Sequence, residues 1–214
     1  MSLPRQPIPL ETRSARKRRS IVDAAREVFM ERGYAGATMD AIAAAAGVSK
    51  PTVYNHFADK QQLFAQMLSD TIDELTLPFY EQVVDQPENV DVRDYLRDLA
   101  RLLLNAVMQP QNLRLRRLVI AEASRFPELG RMYEEKAPDR AIAAVTEALK
   151  RLAKSGALQI EDPALAATHF AWLVVSVPLN HAMFSGDDRG LRRNQAEQHA
   201  DNAVRMFLAA YSAR

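Results

Sequence analysis

Cysteine is absent from the 214 residues, which excludes disulfides, thiol catalysis and metal sites built on sulfur. Glycine is scarce, at seven residues, and no Gly-rich phosphate loop or G-x-S-x-G elbow is present. The four histidines, His56, His169, His181 and His199, show no HxxxH spacing. Neither an enzyme, nor a metal, nor a cofactor is therefore expected. The opening MSLPRQPIPLETRSARKRR lacks the apolar core of a secretory signal, and a cytoplasmic location is the expectation. Charge is missing from Pro163 to Gly186, a run long enough to cross a bilayer. His169, Pro178, Asn180 and His181 interrupt it, and no second run accompanies it. A helix buried on both sides in a soluble protein is expected there, with no membrane partner.

What is present favours helices. Nearly half the residues are apolar, Ala and Leu are abundant, and β-branched alternation is almost absent, so an all-α fold with a real core is expected. Net charge is +1, but residues 1–60 carry ten Lys/Arg against six Asp/Glu, and the remainder 18 against 21. A basic front on an acidic body suits a protein whose front meets a polyanion. The spacing predicts a disordered arm over 1–11 and a first helix from about Thr12 to Arg32, stopped by Gly33. A short helix from Met39 follows the N-cap Thr38. Gly47 breaks it, and Ser49 caps a third helix over 50–57. Asp59 opens a long fourth one with Gln62 as capping-box partner, kinked or ended at Pro78. Helices are then predicted at about 91–108, 111–125, 127–154 (bent before Pro138), 162–184 and 189–213. The domains expected are 12–75 and 76–214.

The informative segment is TMDAIAAAAGVSKPTVYNHFADK, residues 38–60. Two short helices joined by a tight corner need an apolar residue late in the first. They also need a small residue where they touch, a glycine at the corner, and apolar residues docking the second. Ile42, Ala43 with Ala46, Gly47, and Val48 with Val53 supply these in order. The pattern is a helix-turn-helix, whose second helix enters the major groove. With Val53 and Phe57 inward, Lys50, Pro51, Thr52, Tyr54, Asn55 and His56 are left for base edges and phosphates. Thr38, Ser49 and Lys60 sit at helix starts near the backbone. Arg16 and Lys17, within the basic run Arg13–Arg19, are further phosphate candidates.

Residues 14–74, through RKRRSIVDAAREVFMERGYAGATM and IAAAAGVSKPTVYNHFADKQQLF, resemble the DNA-binding domain of TetR-family regulators. Pro51 stands where many members have Gly. The run RLVIAEASRFPELGRMYEE, residues 117–135, resembles the AefR-like branch of C-terminal domains. The resemblance implies a three-helix DNA-binding head followed by a helical domain that binds a small molecule and forms a homodimer.

The function expected is a bacterial regulator, a repressor by family default. It would bind a near-palindromic double-stranded operator as a homodimer, associate with the nucleoid when bound, and be released by a small effector. The pairing surface is expected on the last two helices, through Ala167, Ala171, Val174, Ala200, Val204, Phe207, Leu208 and Tyr211. A cavity is expected among Met67, Ile72, Phe79, Leu103, Met132, His169, Trp172, Val175 and Met183, with Asn180 and His181 as further polar anchors. Few charges lie nearby, so a lipophilic or aromatic effector with little net charge is expected. The alternative is an architectural DNA-binding protein without sequence preference or effector, which would show a steep salt dependence and no specificity ratio.

Overall fold

The computed structural model describes residues 12–84, 91–186 and 192–212; the expected disordered arm and the polar break after Val84 lie outside them. Two compact units are present, Met1–Leu68 and Ser69–Arg214.

In the first unit α1 (Arg13–Gly36) begins where Thr12 accepts a hydrogen bond from the Ala15 amide at 3.1 Å. Its α-helical path breaks at Gly33, whose φ of +68° only glycine adopts cheaply. Ile21, Val22, Ala25, Val28 and Phe29, the stripe visible in the sequence, are all buried. α2 (Met39–Ala45) and α3 (Lys50–His56) follow, and α4 (Lys60–Val84) starts in this unit. The capping box at its start forms: Asp59 accepts from the Gln62 amide at 2.8 Å, and the Gln62 side chain accepts from the Ala58 amide at 2.8 Å. Three rings centre the core, with Phe64 4.8 Å from Phe29 and 5.0 Å from Tyr34.

The boundary expected after residue 75 lies instead at Leu68/Ser69, inside α4. The helix runs on without a turn signal, but its later residues belong to the second unit. Ser69 and Asp73 accept from the Lys136 ammonium at 2.7 and 2.6 Å. Nor does Pro78 end α4. Pro78 is exposed, so the carbonyl it leaves without a donor faces water rather than core.

The second unit contains α5 (Val92–Val107), α6 (Pro110–Ala123), α7 (Pro127–Glu134), a π-helical turn (Glu135–Asp139), α8 (Arg140–Lys154), α9 (Pro163–Ser185) and α10 (Arg193–Tyr211). The bend expected before Pro138 is this π turn. Proline has no N–H to give the carbonyl four residues back, so the ladder shifts register there. Asp162 caps α9, accepting from the Ala164 and Leu165 amides at 3.0 Å. α9 packs against α5, α8 and α10; Phe170 meets Phe207 edge-on at 5.2 Å.

That packing corrects the expected pairing surface. Ala167, Ala171, Val174, Ala200, Val204, Phe207 and Leu208 are buried within the chain's own core, and Tyr211 is half-buried against Phe207. The stripe they form is the seam between α9 and α10, so it has no free face for a partner. The expectation that α9 is buried on both sides is corrected too. Leu165, Trp172, Val177 and Phe184 are exposed, Phe184 by 84%. Of the described helices, α9 alone is long and apolar enough to cross a membrane, and under half of its most apolar stretch is buried.

Candidate functional site

The corner between α2 and α3 is built from backbone bonds. The Ala46 amide donates to Ile42 at 2.9 Å, Gly47 to Ala44 at 3.2 Å, and Val48 to Ala43 at 3.0 Å. Gly47 has φ of +65°, and a Cβ there would meet nothing within 4 Å. Glycine is needed for the backbone angle, then, not for space. Ile42, Ala43 and Val53 are buried between the two helices, and Phe57 closes the end of α3. Ser49 caps α3, accepting from the Thr52 amide at 3.3 Å, and Thr38 caps α2 in the same way from Ala41 at 3.1 Å. The Thr38 hydroxyl still has its own proton to donate; the Ser49 and Thr52 hydroxyls are joined by one bond at 2.8 Å.

With Val53 and Phe57 inside, Lys50, Pro51, Tyr54 and Asn55 are exposed, and Thr52 and His56 half-buried. The row from residue 50 to 55 therefore presents an amine, a phenol and an amide side by side. Lys50 is paired across the corner with Asp40 at 2.8 Å, and the hydrogen bond to that carboxylate, with its charge, raises the ammonium above its usual range. Arg16 and Lys17 are exposed near the start of α1.

Other cations serve the head itself. Arg18 donates to Gln66 at 2.6 Å and lies over the Phe57 ring at 5.0 Å. Lys60, expected at the DNA backbone, instead donates to the Tyr34 and Ala37 carbonyls at 2.8 and 2.9 Å and covers the Tyr34 ring at 4.4 Å. Its ammonium thus ties the end of α1 to the start of α4. Lys60→Met, which keeps the stem, is expected to destabilise the head by about 1–2 kcal/mol, the lower part of the range for charge-assisted bonds because Lys60 is half-exposed. Chemical denaturation measures this. The salt dependence of DNA binding should stay as in the unsubstituted protein; a slope reduced by about one per head would restore Lys60 to a phosphate.

In the second unit a cavity of about 90 Å³ lies among α4, α5, α6, α7, the π turn, α8 and α9. At a liquid share of about 30 Å³ per water it has room for about three waters, or for a molecule with a single small ring. Of the nine cavity residues expected, Phe79, Leu103, Trp172 and Val175 line it. Met67 and Ile72 are buried in packing away from it, and Met183 packs on Leu113, Leu179 and Ala182. Met132 is half-buried outside the lining, and His169 is exposed and bonded to the Tyr211 hydroxyl at 2.7 Å. Asn180 and His181 are exposed as well. Residues 169, 180 and 181 miss because they lie on the outward side of α9.

The polar groups that do line the cavity were not anticipated: Thr76, Tyr80, Asn112, Arg116 and Tyr133. Burial raises the Tyr80 and Tyr133 hydroxyls above the usual phenol range, with Arg116 pulling Tyr133 back by charge and hydrogen bond. The Tyr80 hydroxyl donates to the Lys136 carbonyl at 3.3 Å, and Arg140 covers its ring at 4.9 Å. Asp73 joins Lys136 and Arg140 at 2.6 and 3.2 Å. The π turn is thereby bound to α4 on one flank of the cavity. A usable signal existed in α6, where Asn112, Arg116 and the buried Val119 recur at steps of four and three, placing an amide and a guanidinium in an apolar row.

A family model described as bacterial regulatory proteins of the tetR family matches residues 21–67, over the corner just described. A second, the C-terminal domain of AefR-like transcriptional repressors, matches residues 94–213, more than half the chain. The chain belongs to the TetR family. It is a transcriptional regulator by that membership, and its named relatives are regulators rather than enzymes. It superposes on a protein of Mesorhizobium loti assigned to the TetR-family transcriptional regulators, with TM-score 0.88 and 40% identity, covering 95% of this chain and all of that one. The flavonoid-responsive regulator FrrA is similar at TM-score 0.75 and 31% identity, over 93% of this chain and 98% of its own. The transcriptional activator FasR of Mycolicibacterium smegmatis is 48% identical over 59 residues, 28% of this chain; the match spans 27% of FasR's own length.

Proposed function

We propose that this TetR-family regulator represses transcription as a cytoplasmic homodimer, bound at the nucleoid to a near-palindromic operator and released by a small aromatic or lipophilic effector. The outward row of α3 carries the reading: Lys50, Tyr54 and Asn55 are exposed on a helix whose Val53 and Phe57 lock it to the head. Asn55 suits adenine, Lys50 and Tyr54 suit acceptors on bases or phosphates, and Pro51 and Thr52 suit the thymine methyl. Arg16, Lys17, Thr38, Ser49 and His56 are assigned to the flanking backbone.

Dimerisation is reassigned to the other side of α9. Leu165, His169, Trp172, Ser176, Asn180 and Phe184 recur every three or four residues along it, with no charge among them. An uncharged exposed stripe on a helix this long suits burial against a second copy. Two heads joined in this way set the symmetry of the operator, with half-sites about 34–36 Å apart or a multiple of that.

The effector is assigned to the cavity, in keeping with the flavonoid response named for FrrA. α4 supplies Phe79 and Tyr80 to the lining, and its first turns belong to the head. A ligand that binds better to one setting of α4 shifts the population of DNA-competent dimers; equal affinity for both settings would shift nothing.

Selection of bound sequences from a random DNA pool tests the whole reading. It should return a palindromic consensus. The double variant Lys50→Ala/Tyr54→Ala should bind that consensus at least about thirtyfold more weakly, since each good base contact is worth ~1–3 kcal/mol. Unchanged affinity would overturn the assignment of the reading face, and a pool with no consensus would favour an architectural protein.

A further inference from the structure

Few charges were expected near the cavity from the sequence, and one of its walls carries one. Among its lining residues Arg116 alone carries a charge; no Asp or Glu is present. The neighbouring cations are engaged elsewhere: Lys136 and Arg140 share Asp73, and Arg117 donates to the Ala182 carbonyl at 2.6 Å. Arg116 is half-buried, stacks on the Tyr133 ring at 5.3 Å, and has no carboxylate partner among the described residues. A guanidinium held against an apolar wall gives up hydration, and only an anion restores that loss in full.

Two further donors stand at the same end. Tyr133, on whose ring Arg116 stacks, keeps its hydroxyl proton to donate, because burial disfavours the phenolate. Asn112, one turn before Arg116 on the same face of α6, donates one N–H to the Ala106 carbonyl at 2.5 Å and has a second to offer. The opposite walls, from Phe79, Leu103, Trp172 and Val175, are apolar. We propose that the cavity selects an aromatic acid, its ionised oxygen paired with Arg116 and its ring among the apolar walls. This rests on the cavity being the effector site, as proposed above.

The full-length protein is titrated with benzoate and with benzamide, which share a ring and differ in charge. Calorimetry measures binding, with quenching of Trp172, the chain's one tryptophan, as a second readout. Benzoate is expected to bind at least about tenfold more tightly than the amide, from one charge-assisted bond in a half-buried site. Arg116→Gln should bring the two within about twofold without weakening the amide. Ala141→Phe, which fills the cavity, should abolish both. Equal binding of acid and amide to the unsubstituted protein, with both lost in Ala141→Phe, would overturn the preference for an acid and leave the effector site standing. Benzoate binding that survives Ala141→Phe would place the acid elsewhere and overturn the proposal. Failure of both probes to bind the unsubstituted protein would remove the effector site along with it.

Discussion

Phe64→Ala is expected to unfold the DNA-binding head. Phe64 is fully buried, and its ring meets both Phe29 and Tyr34. Truncating such a residue costs about 3–5 kcal/mol through lost transfer energy and the void left behind. A unit of this size has a stability of only about 3–10 kcal/mol at typical values per residue, so one ring is a large share of the total. Hydrogen exchange should show the amides of α1 to α3 losing most of their protection, while those of α9 and α10 keep theirs. Affinity for the selected operator should fall at least a hundredfold. Retained protection in α1 would mean that Phe64 fills space without holding the head together.

The second large effect concerns the proposed homodimer. Leu165→Glu combined with Phe184→Glu introduces two carboxylates into the exposed stripe of α9 and, in a two-fold dimer, four into one interface. Both side chains are exposed in the single chain, Leu165 by 50%, so folding of the protomer should be little affected. An unpaired charge forced into an interface costs about 2–5 kcal/mol, and self-association should weaken at least about a thousandfold. Sedimentation at micromolar concentration should then show a monomer with unchanged helicity. Operator binding should drop by about 10²–10⁴, the usual avidity of two linked sites. A double variant that still sediments as a dimer would remove this face from the assignment.

Some features were legible because their causes are local. A hydroxyl or carboxylate at a helix start satisfies amides within three residues, so Thr38, Ser49 and Asp59 marked starts that the structure has. Gly33 and Gly47 were readable because the backbone angles they adopt penalise every other residue. The exposed row of α3 followed from these, since fixing Val53 and the C-cap Phe57 inward leaves a seven-residue helix one outward side. The cavity was half legible. Phe79, Leu103, Trp172 and Val175 were found by their apolar character, but that character does not distinguish a wall from packed core, which is how Met67 and Ile72 were mistaken. Arg116 was missed because a charge is ordinarily a solvated one.

Order along the chain alone thus determined the class of the fold, the helix-turn-helix and its exposed row, because those depend on contacts a few residues apart. Only the tertiary structure decided which side of α9 faces inward, what Lys60 holds, and which polar groups converge on one cavity. The reason lies in α9 itself: apolar residues run all the way round it, so its periodicity has no polar side to identify water. Its inward face is whichever one α5, α8 and α10 cover. That choice is made by helices distant in sequence, and no window of residues along α9 contains it.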